Sequence, residues 1–202
     1  MLSSDDVIYL WLEGQFAKDC SLTEKASQWF SVDRQADRYF RRRLMAYTAL
    51  ASEGGLEEWR SSARGSLALA LLLDRVSRAC YRKTPMAFDA DVKARRITRH
   101  AVDKGLDWSL SIIERIFLLF PFIASEKIDQ QRIARNKLEA YSNSANNNEE
   151  NILICNLISL VERNCLVLEK FSKFPHRSKI LRRGMTQAEK EFVLAHPWQE
   201  WL

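Results

Sequence analysis

Apolar residues recur along most of this chain at intervals of three and four positions, which is the spacing of one face of an α-helix. The longest example comprises Ile154, Leu157, Ile158, Val161, Cys165 and Leu168. No segment alternates apolar and polar residues for long enough to predict a strand. The pattern predicts an all-α chain of roughly seven to nine helices joined by short turns.

Helix starts are marked by residues that satisfy free backbone N–H groups. Ser21 with Glu24, and Thr186 with Glu189, have the spacing of a capping box, in which a hydroxyl and a carboxylate each accept a backbone N–H. Asp33 is placed to cap a long helix. We therefore expect helices to begin directly after these three N-cap positions, and a first helix to span about 5–17.

The apolar run Leu67–Leu73 has no polar face. A helix that is apolar on every side is buried by its neighbours, so residues 62–80 are expected to form a central helix. Pro85 is expected to open the next helix and Gly105 to end it. Pro121 is expected to interrupt or kink a later helix, because proline lacks a backbone N–H.

Composition supports one globular domain. Of the 202 residues, 47% are hydrophobic and 28% are charged, so the chain has enough apolar surface to fold. The six Gly and four Pro are too few turn residues for a sheet-rich domain of this length. We predict a single all-helical domain over residues 1–202, with a mobile loop at the polar segment 143–150.

Charge and cysteine content limit the partners and the compartment. The formal net charge of +5 is a mild excess, and the consecutive Arg41–Arg43 face different directions on a helix, so the nucleic-acid signal is weak. No apolar run approaches the ~20 residues of a membrane-spanning helix. The four cysteines have no CxxC spacing, and no glycine-rich phosphate loop occurs. We predict a cytoplasmic protein with reduced thiols that binds no membrane, metal or cofactor.

Charged residues at helical spacing follow the apolar run, at the C-terminal end of the predicted central helix. Asp74 and Arg78 are four residues apart and share a helix face, and Arg82 lies a further turn along. Two interpretations are open at this point. One is an ion pair at the helix end. The other is an arginine-lined pocket for an anion, since guanidinium groups match the geometry of carboxylate and phosphate.

The same stretch resembles a known family, and the resemblance covers most of the chain. The matching residues in this stretch are Asp74, Arg78, Tyr81, Arg82, Thr84, Pro85, Ala87, Phe88 and Asp91. Later matches include Gly105, Asp107, Pro121, Ser125, Glu126, Gln131, Phe174, Pro175, His176, Arg177, Leu181, Arg183, Thr186 and Glu189. Their order and spacing resemble the DUF924 family, a bacterial and eukaryotic domain of unknown function. The resemblance implies a tetratricopeptide-like fold, with antiparallel helix pairs packed around the central apolar helix.

The chain departs from the family pattern at residue types that carry chemistry. The pattern has Gln, Asn, His, His and Asn where this chain has Arg75, Ala79, Ala124, Asn164 and Ser178. Imidazole and amide groups are the ones that proton transfer or metal binding would use. If the family is enzymatic, the resemblance therefore implies either an altered substrate or a loss of chemistry in this chain.

The candidate ligand-binding residues come from three distant stretches of chain. They are Asp74, Arg78, Tyr81, Arg82, Glu126, Gln131, His176 and Arg177. Charged groups beside apolar helices are costly unless they meet partners, so we expect most of the charged members to converge.

Three classes of function are open. The leading one is a binding domain whose arginine-lined polar groove holds an anionic small molecule or a peptide end. The second is an enzyme that uses His176 and Glu126 as acid and base on a small substrate. The third is a protein–protein adaptor that uses the concave face of a helical array. The oligomeric state is also open, and Trp198 and Trp201 are expected to dock on the body of the protein or on another subunit.

We expect limited proteolysis to cut first within residues 143–150, because a polar segment without apolar anchors opens more readily than a packed helix. Mass spectrometry of the earliest fragments measures this. Early cleavage inside the flanking helices, with the segment intact, would contradict the loop prediction.

Overall fold

The computed structural model describes residues 2–14 and 20–196. These residues form nine helices and no strand, so the predicted all-α class is confirmed. The helices are α1 (Ser4–Leu12), α2 (Leu22–Trp29), α3 (Arg34–Glu53), α4 (Ala63–Leu71, continued by the π-helical Leu72–Val76 and by Ser77–Cys80), α5 (Asp91–Asp103), α6 (Ile112–Ile123), α7 (Ile128–Ser142), α8 (Asn148–Phe171) and α9 (Gln187–Ala195). Short 3₁₀ turns lie at Glu57–Ser61, Pro85–Phe88, Leu106–Ser109 and Pro175–Arg177.

The predicted helix caps are present. The backbone N–H of Ser21 donates to Glu24 at 2.8 Å, and that of Thr186 donates to Glu189 at 2.7 Å. The return bonds to the two hydroxyls complete both capping boxes, and Asp33 caps α3. Helix α1 is shorter than predicted and ends at Leu12. The predicted docking of Trp198 and Trp201 lies outside the described residues.

Helix α4 lies at the centre of the fold, as predicted. Every side chain from Leu67 to Leu73 is at most 2% exposed, because α1, α3, α5 and α6 all pack against this helix. Burying one such leucine contributes about 1.5–3 kcal/mol. The π-helical segment was not predicted, and it carries the buried Asp74 and Arg75.

The two proline predictions need correction. Pro85 opens the 3₁₀ turn Pro85–Phe88, and helix α5 begins only at Asp91. Pro121 lies inside α6, which continues to Ile123, so the predicted interruption is wrong, whereas the alternative of a kink stays a prediction. The helix continues because proline removes only one backbone donor there, and the apolar side chains on both sides stay buried. Gly105 has a φ of +68° just after α5, in agreement with its predicted role at the helix end.

Helices α7 and α8 form an antiparallel hairpin. Gln131 contacts Asn164 and Arg135 contacts Glu162, so residue numbers rise along one helix as they fall along the other. The predicted loop 143–150 is shorter in the structure, because α8 begins at Asn148 with Asn147 as its cap. The mobility of this connection, the single-domain organisation and the tetratricopeptide-like pairing stay predictions.

Helix α8 is long and apolar enough, by length and composition, to cross a membrane, and it is the one such helix among the described residues. However, 44% of its most apolar window is buried inside the protein, where Leu157 and Val161 join the core. Core helices meet the same criteria, so α8 is weak evidence for a membrane span.

Gly65 in the first turn of α4 tests the packing around the central helix. A Cβ at this position would overlap the backbone carbonyl of Trp59. A rotamer change cannot relieve an overlap with backbone. We therefore expect G65A to lower the free energy of unfolding by at least about 2 kcal/mol, despite the ~1 kcal/mol that alanine gains over glycine in a helix.

The matched control is Gly184, where an added Cβ has no atom within 4 Å. G184A should change the free energy of unfolding by less than about 0.5 kcal/mol. Urea titrations of the wild type and both variants measure the difference, and equal effects would contradict the packing described here.

Candidate functional site

Charged side chains from α4, α5 and the segments after α6 and α8 meet at the C-terminal end of the central helix. We call this group the arginine cluster, and it consists of Asp74, Arg75, Arg78, Asp91, Glu126, Arg177 and Arg183. Asp74, Arg75, Arg78 and Arg177 are 1%, 3%, 7% and 3% exposed. The predicted convergence therefore produces a group whose centre is largely closed to solvent.

The α4 side of the cluster is paired charge by charge. Arg75 Nε donates to Asp74 Oδ2 at 2.6 Å, and Arg78 Nη2 lies 3.3 Å from Asp74 Oδ1. Arg78 also donates to both carboxylate oxygens of Asp91, at 2.8 and 3.1 Å. Burial by itself raises the pKa of Asp74, but the charges of Arg75 and Arg78 outweigh it and the net pKa is lowered. Asp74 is therefore ionised at neutral pH.

Glu126 joins the turn after α6 to the segment after α8. Its carboxylate accepts two bonds from Arg183, at 2.7 and 2.8 Å, and one from the backbone N–H of Phe174 at 2.8 Å. Burial raises the pKa of Glu126, but these hydrogen bonds outweigh burial and lower the net pKa. Glu126 is a fully engaged carboxylate.

Gln131 supports the turn after α6 by binding its backbone carbonyls, and it does not bind the charged side chains of the cluster. Its Nε2 donates to the carbonyls of Ile123 and Ser125, at 2.8 and 2.7 Å. Asn164 Nδ2 adds a bond to Ile123 at 3.1 Å. Both side chains are fully buried. They satisfy carbonyl groups at the end of α6 that have no partner within the helix.

Arg177 is bound differently from the other arginines. Its Nη1 donates to the backbone carbonyl of Ala124 at 2.9 Å. Its guanidinium lies over the rings of Phe88 and Phe174, at 5.1 and 4.8 Å from their centroids. Nε and Nη2 are buried, and they have no hydrogen-bond partner within the part of the chain that the structure describes. Burial, followed by the charge of Arg78, lowers the pKa of Arg177 to about 10.

His176 lies beside the cluster, stacked on Phe174 with ring centroids 5.6 Å apart. Burial, followed by the positive charge of Arg177, lowers the pKa of His176 to about 3. The imidazole is therefore neutral at physiological pH, and it adds no charge to the cluster.

Two predicted site residues lie elsewhere. Arg82 is turned towards α3, where its Nε and Nη2 hold the two carboxylate oxygens of Asp37 at 2.5 and 2.7 Å. Tyr81 caps the C-terminal end of α4 and packs, half-buried, against the core. Of the six charged or imidazole residues expected to converge, the structure brings together Asp74, Arg78, Glu126, His176 and Arg177.

Sequence reasoning missed three members of the cluster. Asp91 and Arg183 lie within the matched motifs, so their signal was present, but spacing alone did not place them opposite Arg78 and Glu126. The sequence distinguishes Arg75 only as a departure from the family pattern. In the structure it pairs with Asp74 and lies over the ring of Phe120, at 4.8 Å.

Metal-ligating side chains and thiols are the other groups in this chain that could carry chemistry. Among residues 2–14 and 20–196, no three His, Cys, Asp or Glu side chains are grouped so that they could hold a metal ion. Within the described part of the chain, no disulfide joins the cysteines at positions 20, 80, 155 and 165. Burial raises the pKa of the Cys80 thiol to about 11, so this thiol is not an activated nucleophile.

Comparison with known proteins places the chain in a family. The model of the family described as "Bacterial protein of unknown function (DUF924)" matches residues 7–196. The chain belongs to the DUF924 family. Its fold is similar to that of ATU0120, a protein of unknown function from Agrobacterium tumefaciens, with a TM-score of 0.79 and 27% sequence identity. That match covers 96% of this chain and 97% of the other. No curated protein matches the sequence.

The paired state of Glu126 predicts a pH-dependent contribution to stability. Its pKa in the folded protein lies below the ordinary value of 4.5, so its stabilisation is present above that value and is lost as the pH falls through the lowered pKa. We expect E126Q to lower the free energy of unfolding by about 1–2 kcal/mol at neutral pH. The difference in the free energy of unfolding between the wild type and E126Q should become smaller below about pH 4.5.

Urea titrations between about pH 3 and pH 8 test this expectation. The matched control is E139Q, because Glu139 pairs with Arg135 while about half of each side chain, 48%, is exposed. E139Q should cost less than about 0.5 kcal/mol. A gap for E126Q that is the same at every pH would rule out the ionised pair as its cause.

Proposed function

We propose that this DUF924 chain is a binding domain for a small anion, with Arg177 in the arginine cluster as the residue that contacts the ligand. The observation that carries the proposal is the Nε–Nη2 edge of Arg177. Both groups are buried, and neither has a hydrogen-bond partner among the described residues. Leaving a buried charged donor unsatisfied costs several kcal/mol, so the edge requires a ligand or water.

The charge of the cluster supports an anion as that ligand. Within it, four guanidinium groups face three carboxylates, so one positive charge is in excess. Arg75, Arg78 and Arg183 each have a carboxylate partner. The direct partner of Arg177 is an uncharged carbonyl. The excess charge is therefore centred on Arg177, where an anion would neutralise it.

The protonation states favour binding over acid–base catalysis. The enzyme alternative assigns the acid and base roles to His176 and Glu126, and a general base works best with a pKa near the operating pH. The pKa of His176 is about 3, which makes it a weak base. Glu126 is held as a carboxylate by Arg183. Neither group has the pKa that proton transfer at neutral pH requires.

The adaptor alternative is supported by a separate apolar groove between α2 and α8. The groove has a volume of about 780 Å³, and its lining includes Leu22, Phe30, Leu153 and Leu157. A tetratricopeptide-like arrangement would suit such a role. Nothing indicates what would cover the groove, so the anion site is the stronger proposal. We also propose a cytoplasmic location, which is supported by the lack of a disulfide between cysteines of the described residues.

A thermal-shift experiment with paired variants tests the proposal. At constant ionic strength, acetate, phosphate, sulfate and chloride are added separately to the wild type, R177K and R82K. At least one anion should raise the Tm of the wild type by about 5–10 °C when it is present at about 100 times its Kd. Lysine keeps the positive charge of Arg177 but lacks the two parallel N–H groups of its Nε–Nη2 edge. The Tm of R177K should therefore not rise with that anion.

R82K is the matched control. Arg82 binds Asp37 through the same pair of atoms, Nε and Nη2, and this ion pair lies away from the arginine cluster. R82K should therefore have a lower Tm without ligand and the same rise with the anion. If no anion shifts the wild type, or if the rise survives in R177K, the anion-binding proposal is wrong.

A further inference from the structure

We infer that the anion held at Arg177 is the carboxylate of a small monocarboxylic acid, bound side-on by Nε and Nη2. This inference rests on the proposed function and specifies its ligand class. Three features of the site lead to it: the size of the excess charge, the shape of the unsatisfied Nε–Nη2 edge and the burial of the surroundings.

The excess charge matches one negative charge. With the other guanidinium groups paired to Asp74, Asp91 and Glu126, a single carboxylate would bring the cluster to neutrality. A phosphate group carries about −1.5 to −2 charges at neutral pH. It would leave a negative charge in a buried site that already contains three carboxylates, and an unpaired buried charge is strongly destabilising.

The unsatisfied Nε–Nη2 edge of Arg177 matches a planar, two-oxygen group. The third nitrogen, Nη1, is already occupied by the carbonyl of Ala124. The guanidinium lies over the rings of Phe88 and Phe174, so these rings restrict approach to its flat face. A ligand must therefore approach in the guanidinium plane, where Nε and Nη2 present two parallel N–H groups. Carboxylates bind this fork with both oxygens.

The protein contains a model for this contact in its own Arg82–Asp37 pair. The Nε and Nη2 atoms of Arg82 hold the two oxygens of Asp37, at 2.5 and 2.7 Å. Arg177 presents the same two atoms without a carboxylate. The two arginines present the same pair of donors. We therefore expect a free acid to bind Arg177 in the way that the Asp37 side chain binds Arg82.

The surroundings limit the size of the acid and provide further donors. Arg177 is 3% exposed, while Phe88 and His176 at the border of the cluster are half-buried. The acid is therefore short, with its carboxylate inside. Arg78 Nε and Ser178 Oγ are also buried without a partner among the described residues. They are candidates for further bonds, because each carboxylate oxygen accepts two.

Nitrogen-15 NMR of the arginine Nε–H groups tests the inference on the folded wild-type protein. Acetate, phosphate and chloride are titrated at constant ionic strength, and R82K and R177K assign the two signals by their loss. Acetate should shift the Arg177 signal in a saturable way, with an affinity at least about tenfold higher than that of phosphate or chloride. The Arg82 signal should not move, because Asp37 already occupies its edge.

The outcomes separate the two levels of the proposal. Tighter binding of phosphate or chloride at the Arg177 signal would overturn the monocarboxylate class and leave the anion-binding function standing. An Arg177 signal that no anion moves would overturn both, with water as the partner of the edge. If R177K does not fold, the Arg177 signal is assigned in the wild type through nuclear Overhauser contacts with the rings of Phe88 and Phe174, over which its guanidinium lies, and the same titration decides.

Discussion

The burial of charge at the end of the central helix is the constraint on which the rest of this structure depends. Helix α4 is apolar through Leu73 and then places Asp74, Arg75 and Arg78 in the interior. Each of these charges is stable there only when an opposite charge or a polar group reaches it. The segments that supply those groups, with Asp91 at the start of α5 and Arg177 after α8, are therefore fixed in position by electrostatics as well as by packing.

The same constraint explains how the connections are organised. The turn after α6 is held from one side by Gln131 and Asn164, which bind its carbonyls, and from the other by Arg177 at Ala124. Glu126 then ties the turn to Arg183. A loop held at several carbonyls has little freedom, so the cluster is a rigid site. Rigid placement of its donors is what a small binding site requires.

Two of the five departures from the DUF924 pattern lie at this turn. Asn164 and Ala124 stand where the family resemblance implies histidines, and Asn164 binds the carbonyl of Ile123, next to Ala124. The two lost imidazoles therefore belong to one place in the fold, and in this chain an amide with a structural role replaces one of them. His176, close to the same turn, is held neutral by burial and by the positive charge of Arg177. A binding role is consistent with this change.

The sequence by itself determined the helical class, the central position of Leu67–Leu73 and the capped helix starts, because these depend on local periodicity and on residues three positions apart. It also identified most of the charged residues that meet in the cluster. Only the tertiary structure decided which carboxylate each arginine binds: Arg82 pairs with Asp37, whereas Arg78 pairs with Asp91. Pairing between distant segments depends on where helices pack, and one sequence contains no local signal for that. For the same reason, the sequence contains no sign that the Nε–Nη2 edge of Arg177 lacks a partner among the described residues, because this depends on how distant segments pack around it.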